Sequence, residues 1–183
     1  MWKRSLGIAT LLICWALPLN AFTAEIDSVY TDLAPARCQT IEVVQDPMPS
    51  SLQRCPGIAG YRLLVAEDDL RQTVRVVSPD GKTHPLDLWH VITWAFSSVG
   101  SKAEWRIIKE KGKIVPVALI IRVNANEDPE NPNRVKSYLA VAKITPETIC
   151  VTDKIAPGAT ANQEARRAAD TAAEKPCLKA ASP

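Results

Sequence analysis

The chain has 183 residues, with 22 basic and 20 acidic side chains and a formal net charge of +2. Lys3 and Arg4 are the charged residues of the first 24, so positions 25–183 carry 20 basic against 20 acidic groups. A neutral chain of that size can bury a real core, and it has no overall field to attract nucleic acid or an anionic membrane.

The first 24 residues read as an export signal. Lys3 and Arg4 form a basic start, Leu6 to Leu17 is an apolar run, and Pro18 and Asn20 precede the small residues Ala21 and Ala24. Cleavage is expected after Ala24, with Ala21 as the alternative, leaving 25–183 as a single α+β domain in the periplasm or secreted space. The run is short for a hydrocarbon core of about 30 Å. Ile114 to Val123 is ten residues long and contains Pro116 and Arg122, so no integral membrane segment is expected once the signal is removed.

Beyond the signal, β-favouring Ile41, Val43 and Val44 predict a strand over 39–44. Pro47 and Pro49 predict a loop over 45–51. Strands are expected over 61–66 and 71–77, the second with Val74 and Val76 on one face. Pro79-Asp80-Gly81-Lys82 is a turn in which Pro fixes φ and Gly supplies a positive one. Leu86 to Phe96 is apolar and aromatic, and fits either an irregular strand or a short helix. Strands over 105–109 and 114–123, joined at Gly112, predict a hairpin. A polar loop with Pro129 and Pro132 covers 124–133, and strands follow over 135–144 and 148–152. Ala159 to Lys175 is rich in helix formers, with Thr160 as cap, Glu164 in support and Pro176 as the stop. The expected class is α+β: a mostly antiparallel β-sheet with a C-terminal α-helix over about 160–175, braced by disulfides.

Four cysteines remain outside the signal: Cys38, Cys55, Cys150 and Cys177. In an oxidising compartment an even number is expected to pair, and four allow three connectivities. The two local groups favour Cys38–Cys55 and Cys150–Cys177. No C-x-x-C pair occurs, and His84 and His90 are remote from every cysteine, so neither a metal nor any cofactor is expected.

Asp69-Leu70-Arg71 and Glu104-Trp105-Arg106 share the order acid, apolar, base. On a strand each would place acid and base on one face and the apolar residue opposite. If the segments were neighbours, Asp69 would meet Arg106 and Glu104 would meet Arg71, above Leu70 and Trp105 in the core. Asp69 and Glu104 are then the candidate catalytic pair of a glycan hydrolase. Two acids each neutralised by an arginine instead favour a structural ion-pair network of Asp69, Arg71, Glu104 and Arg106. Trp89, His90 and Trp94, with Phe96, form an aromatic-rich patch and are the candidate binding residues, although tryptophan serves a core more commonly.

Tyr30-Thr31-Asp32-Leu33, Cys55-Pro56-Gly57 with Gly60-Tyr61, Asp69-Leu70-Arg71, Glu104-Trp105-Arg106 and Cys177 together resemble a family of uncharacterised exported bacterial proteins. The resemblance runs over nearly the whole of 25–183. It implies a secreted, cysteine-containing domain of this general plan and supplies neither an activity nor a site residue. The functional expectation is a non-catalytic binding domain whose partner is a protein or a cell-envelope glycan. The alternatives are an envelope hydrolase using Asp69 and Glu104, and an envelope structural protein without a discrete ligand.

Overall fold

A computed structural model describes residues 25–131 and 133–180; the expected export signal and its cleavage positions lie outside the described residues. Among the described residues ten strands follow in chain order: β1 (Asp27–Asp32), β2 (Gln39–Val44), β3 (Ser50–Cys55), β4 (Arg62–Asp68), β5 (Arg71–Val77), β6 (Thr83–Pro85), β7 (Ser97–Glu110), β8 (Lys113–Ala125), β9 (Lys136–Ile144) and β10 (Ile149–Ile155). A single-turn helix α1 (Leu88–Val91) precedes β7, and α2 (Ala161–Asp170) follows β10. The sheet order is β10-β9-β8-β7-β5-β4-β3-β2, with β1 added on β7 and β6 on β5. The pairings are antiparallel except at Arg71↔Ser97, where β5 and β7 run parallel, so the sheet is mixed.

Two tight hairpins set the register. Asp69 and Leu70 both have positive φ (48° and 57°) between the paired Asp68 and Arg71. Lys111 and Gly112 do the same (48° and 76°) between Glu110 and Lys113. Two left-handed residues in succession match the right-handed twist of the flanking strands. Leu70, expected in the core, is therefore an exposed turn residue.

The parallel contact is a single bridged pair that joins two antiparallel halves. Each half turns one face into a common core. Leu63, Val65, Val74 and Val76 come from β4 and β5, and Trp105, Ile107, Leu119 and Ile121 from β7 and β8. Trp105 is fully buried; its Nε1–H donates to Thr31 Oγ1 at 2.9 Å, and its ring centroid lies 6.1 Å from that of Tyr61. Ala118, Ile120, Leu139 and Val141 point the other way and are covered by Ala161, Ala165, Ala169 and Ala172 of the C-terminal region. Strand β8 is thus buried on both faces, which is why its sequence is almost continuously apolar.

Both disulfides form within the local groups, Cys38–Cys55 and Cys150–Cys177. The second ties the segment after α2 to β10, and Leu178 N–H adds a bond to Val151 O at 2.7 Å. Three expectations change in detail. Ser50 and Ser51, read as loop, open β3 because β4 supplies a full pairing partner. The C-terminal helix is shorter, ending at Asp170 before a 3-10 turn at Ala172–Glu174. Thr160 makes no side-chain cap; its hydroxyl donates to Glu164 Oε1 at 2.5 Å.

Candidate functional site

The residues after α1 decide which face of the molecule is open. Thr93 is buried, with its Oγ1 accepting from Ala95 N–H at 3.2 Å and donating to Glu127 Oε1 at 3.1 Å. Ser97 N–H donates to Leu70 O at 3.2 Å, and Asn126 N–H donates to Phe96 O at 2.9 Å. These bonds tie the segment before β7 to the β4–β5 turn on one side and the β8–β9 connection on the other. Trp94 and Phe96 are left pointing outward from an anchored backbone, 42% and 50% exposed.

Phe96 is a ridge between two depressions. On one side is a cleft of about 470 Å³ bordered by Arg71, Trp94, Asn126, Glu127, Asp128 and Pro129. On the other is a groove of about 340 Å³ with Glu67, Leu70, Gln72, Ser98, Asn124 and Val135. Leu70 (68% exposed) and Val135 (51%) continue the apolar surface beyond the ring. Exposed rings and aliphatic groups gathered at one place, with amide and carboxylate groups around them, are the usual composition of a binding surface.

Glu127 lines the cleft. Burial raises the pKa of its carboxyl, but hydrogen bonds from Tyr138, Lys136 and Thr93 outweigh this and hold it below the ordinary value. Burial and the same carboxylate push the Tyr138 hydroxyl up to about 12. Glu127 is therefore an ionised anchor with three committed donors, unsuited to carrying a proton in catalysis.

The aromatic trio expected at the site divides. His90 meets Trp94 edge-on at 4.5 Å between ring centroids, and its Nδ1 is hydrogen-bonded to the Asp87 carboxylate. Trp89 lies instead at a separate groove with Glu42, Ser50 and Asp68. It reaches the cleft indirectly, since the Arg71 guanidinium stands 5.9 Å from its ring centre.

The four-charge cluster does not form as drawn from the sequence. Asp69 pairs with Arg71 in its own turn. Glu104 and Arg106 share a face of β7, as the strand period requires, but their partners come from α2. Arg166 Nε donates to Glu104 Oε1 at 2.6 Å, and Arg106 Nε donates to Asp170 Oδ1 at 2.7 Å. Ser28 of β1 links the two pairs, accepting from Arg106 at 2.5 Å and donating to Glu104 at 2.6 Å. Burial raises the Glu104 carboxyl, while the bonds from Arg166 and Ser28 bring it below its ordinary value. With Arg71 beside Ser97, Glu104 faces Ile120, five residues along β8 from the Ala125 that faces Ser97, about 17 Å away at roughly 3.3 Å per residue. Asp69 and Glu104 are too far apart to flank one glycosidic bond.

A further cluster was not visible in the sequence. Ser78 Oγ donates to the Asp80 carboxylate and lies 3.3 Å from His84 Nε2. The bonding order differs from that of a hydrolytic triad, because the acid holds the hydroxyl and does not orient the imidazole. Among the described residues no group of three or more His, Cys, Asp or Glu side chains is placed to hold a metal ion.

Comparison of the chain with protein-family models, curated proteins and solved structures returned no match.

Proposed function

We propose that the chain is a non-catalytic binding domain of the periplasm or secreted space, with residues 1–24 removed on export and a glycan of the cell envelope as ligand. The reading rests on the Trp94–Phe96 pair, two exposed rings held by hydrogen-bonded backbone beside a cleft of about 470 Å³. A ring face stacks on the apolar face of a sugar, and Asn126 and Asp128 beside it suit hydroxyl groups. The two disulfides are compatible with an oxidising compartment.

Isothermal titration with soluble oligosaccharides released from bacterial cell wall tests this directly. The double variant Trp94→Ala with Phe96→Ala is expected to bind at least about tenfold more weakly, a loss of about 1.4 kcal/mol. Its melting temperature should be almost unchanged, because both rings are exposed. A polypeptide ligand is the second reading, favoured by Leu70 and Val135 on the far side of Phe96. In that case an extended peptide library is retained by the wild type while the sugars give no heat of binding. Flat titrations with both probes would overturn the assignment of this surface.

A further inference from the structure

On the opposite side of β8 from the common core, a cleft of about 200 Å³ lies between the sheet and α2. Its floor is apolar, made by Ile120, Leu139 and Ala165, and its walls include Lys102, Arg122 and Arg166 together with one carboxylate, Glu104, and the polar Tyr30 and Asn162. Arg122 is the polar interruption in the apolar run of β8. Its position depends on a bulge in β7: Val99 pairs with Val123 and Ala103 with Ile121, so β7 accommodates two extra residues against β8. Gly100 sits in that bulge, and a Cβ there would come within 2.8 Å of the Arg122 Cβ. Bulges of this kind re-aim side chains next to sites.

The charges are unevenly matched. Lys102 Nζ is 2.7 Å from Asp32, and Arg166 is held by Glu104. Arg122 donates to Ser137 Oγ at 2.9 Å and to Asn162 Oδ1 at 3.2 Å, both neutral. Among the described residues no carboxylate lies within ion-pair distance of it, and three of its five N–H donors have no protein acceptor. A guanidinium oriented by two neutral acceptors, beside two other cations and over an apolar floor, is suited to a planar or tetrahedral oxyanion.

We propose that this cleft binds a small oxyanion, a carboxylate or a phosphate, with Arg122 as the hydrogen-bonding fork and Lys102 and Arg166 as flanking charge. The anion takes the free donors of Arg122, and any apolar part of the molecule rests on Ile120 and Leu139. The site is independent of the aromatic cleft, so it stands whether or not that surface binds a glycan.

Isothermal titration of the wild-type protein with inorganic phosphate and, separately, with glucuronate distinguishes the two sources of the oxyanion. At least one probe is expected to bind, more weakly as sodium chloride is added. Arg122→Gln should reduce that affinity at least tenfold. Arg122→Lys should recover only part of it, because the charge returns without the fork. The Trp94→Ala variant should bind the anion as the wild type does. A melting curve for each variant guards against a loss that reflects unfolding. Failure of both probes to bind, or equal binding by a folded Arg122→Gln protein, would overturn the proposal.

Discussion

Leu70 is held in a left-handed conformation, with φ at 57°, and its side chain is among the most exposed apolar groups of the molecule. For a residue with a Cβ that conformation costs about 1 kcal/mol or more, and nothing in the core rewards it. Strain of this kind gathers at sites that meet a partner. Replacing Leu70 with glycine removes the strain while adding freedom to the unfolded chain. Stability is expected to rise by about 0.5 kcal/mol, and ligand binding at the Phe96 ridge is expected to weaken. Denaturant unfolding and the oligosaccharide titration read the two effects separately. A variant that loses stability and binds normally would mean that Leu70 serves the fold. The acid–apolar–base order of Asp69-Leu70-Arg71 concealed this turn, because Asp-Leu lacks the glycine or asparagine that usually marks a two-residue hairpin. In Glu104-Trp105-Arg106 the same order was legible as strand, with Trp105 inward and both charges outward.

At the scale of elements, legibility followed the strength of the local pattern. Strand β5 and the hairpin turn at Gly112 carry period-two alternation and turn chemistry, and both were readable. The first part of β7, Ser97 to Lys102, is small and polar with a glycine, and gives no alternation. It is a strand because β5 and β8 bring it pairing partners from distant parts of the chain. Strand β1 is likewise imposed by β7. The α2 helix shows the converse. Its alanines are good helix formers, yet they offer a shallow apolar face, and the partners of Arg166 and Asp170 lie 62 and 64 residues away. Helix docking therefore leans on the Cys150–Cys177 bond, whose 27-residue separation corresponds to about 3.5 kcal/mol on the chain-entropy account. Serine at both positions is expected to lower stability by about 2–4 kcal/mol and to increase amide exchange in α2 first. Exchange that rises uniformly across the sheet instead would show that the bond supports the fold as a whole.

Across the whole molecule, the first described strand and the last helix are clasped together over the middle of β7. Ser28, Glu104, Arg106, Arg166 and Asp170 form one connected network, and Tyr30 joins it through Arg166 at 2.8 Å. Its response to acid follows from the Glu104 carboxyl. Hydrogen bonds hold its pKa below the ordinary value even though burial acts in the other direction. A carboxylate depressed in the folded state contributes stability that is fully present above its unfolded pKa of about 4.3. That contribution is lost as pH falls through the lower, folded value. Below that window the clasp opens while the hydrophobic cluster around Trp105, which includes no carboxylate, stays packed. Hydrogen exchange should therefore show α2 and β1 losing protection in acid before β8 and β9 do. Glu104→Gln keeps the size of the side chain but removes its charge. The variant is expected to be less stable at neutral pH by about 1–2 kcal/mol, a figure moderated by the partial exposure of Arg166. It should also lose less stability on acidification than the wild type. If the two proteins have parallel stability curves between pH 3 and pH 7, Glu104 does not govern the clasp.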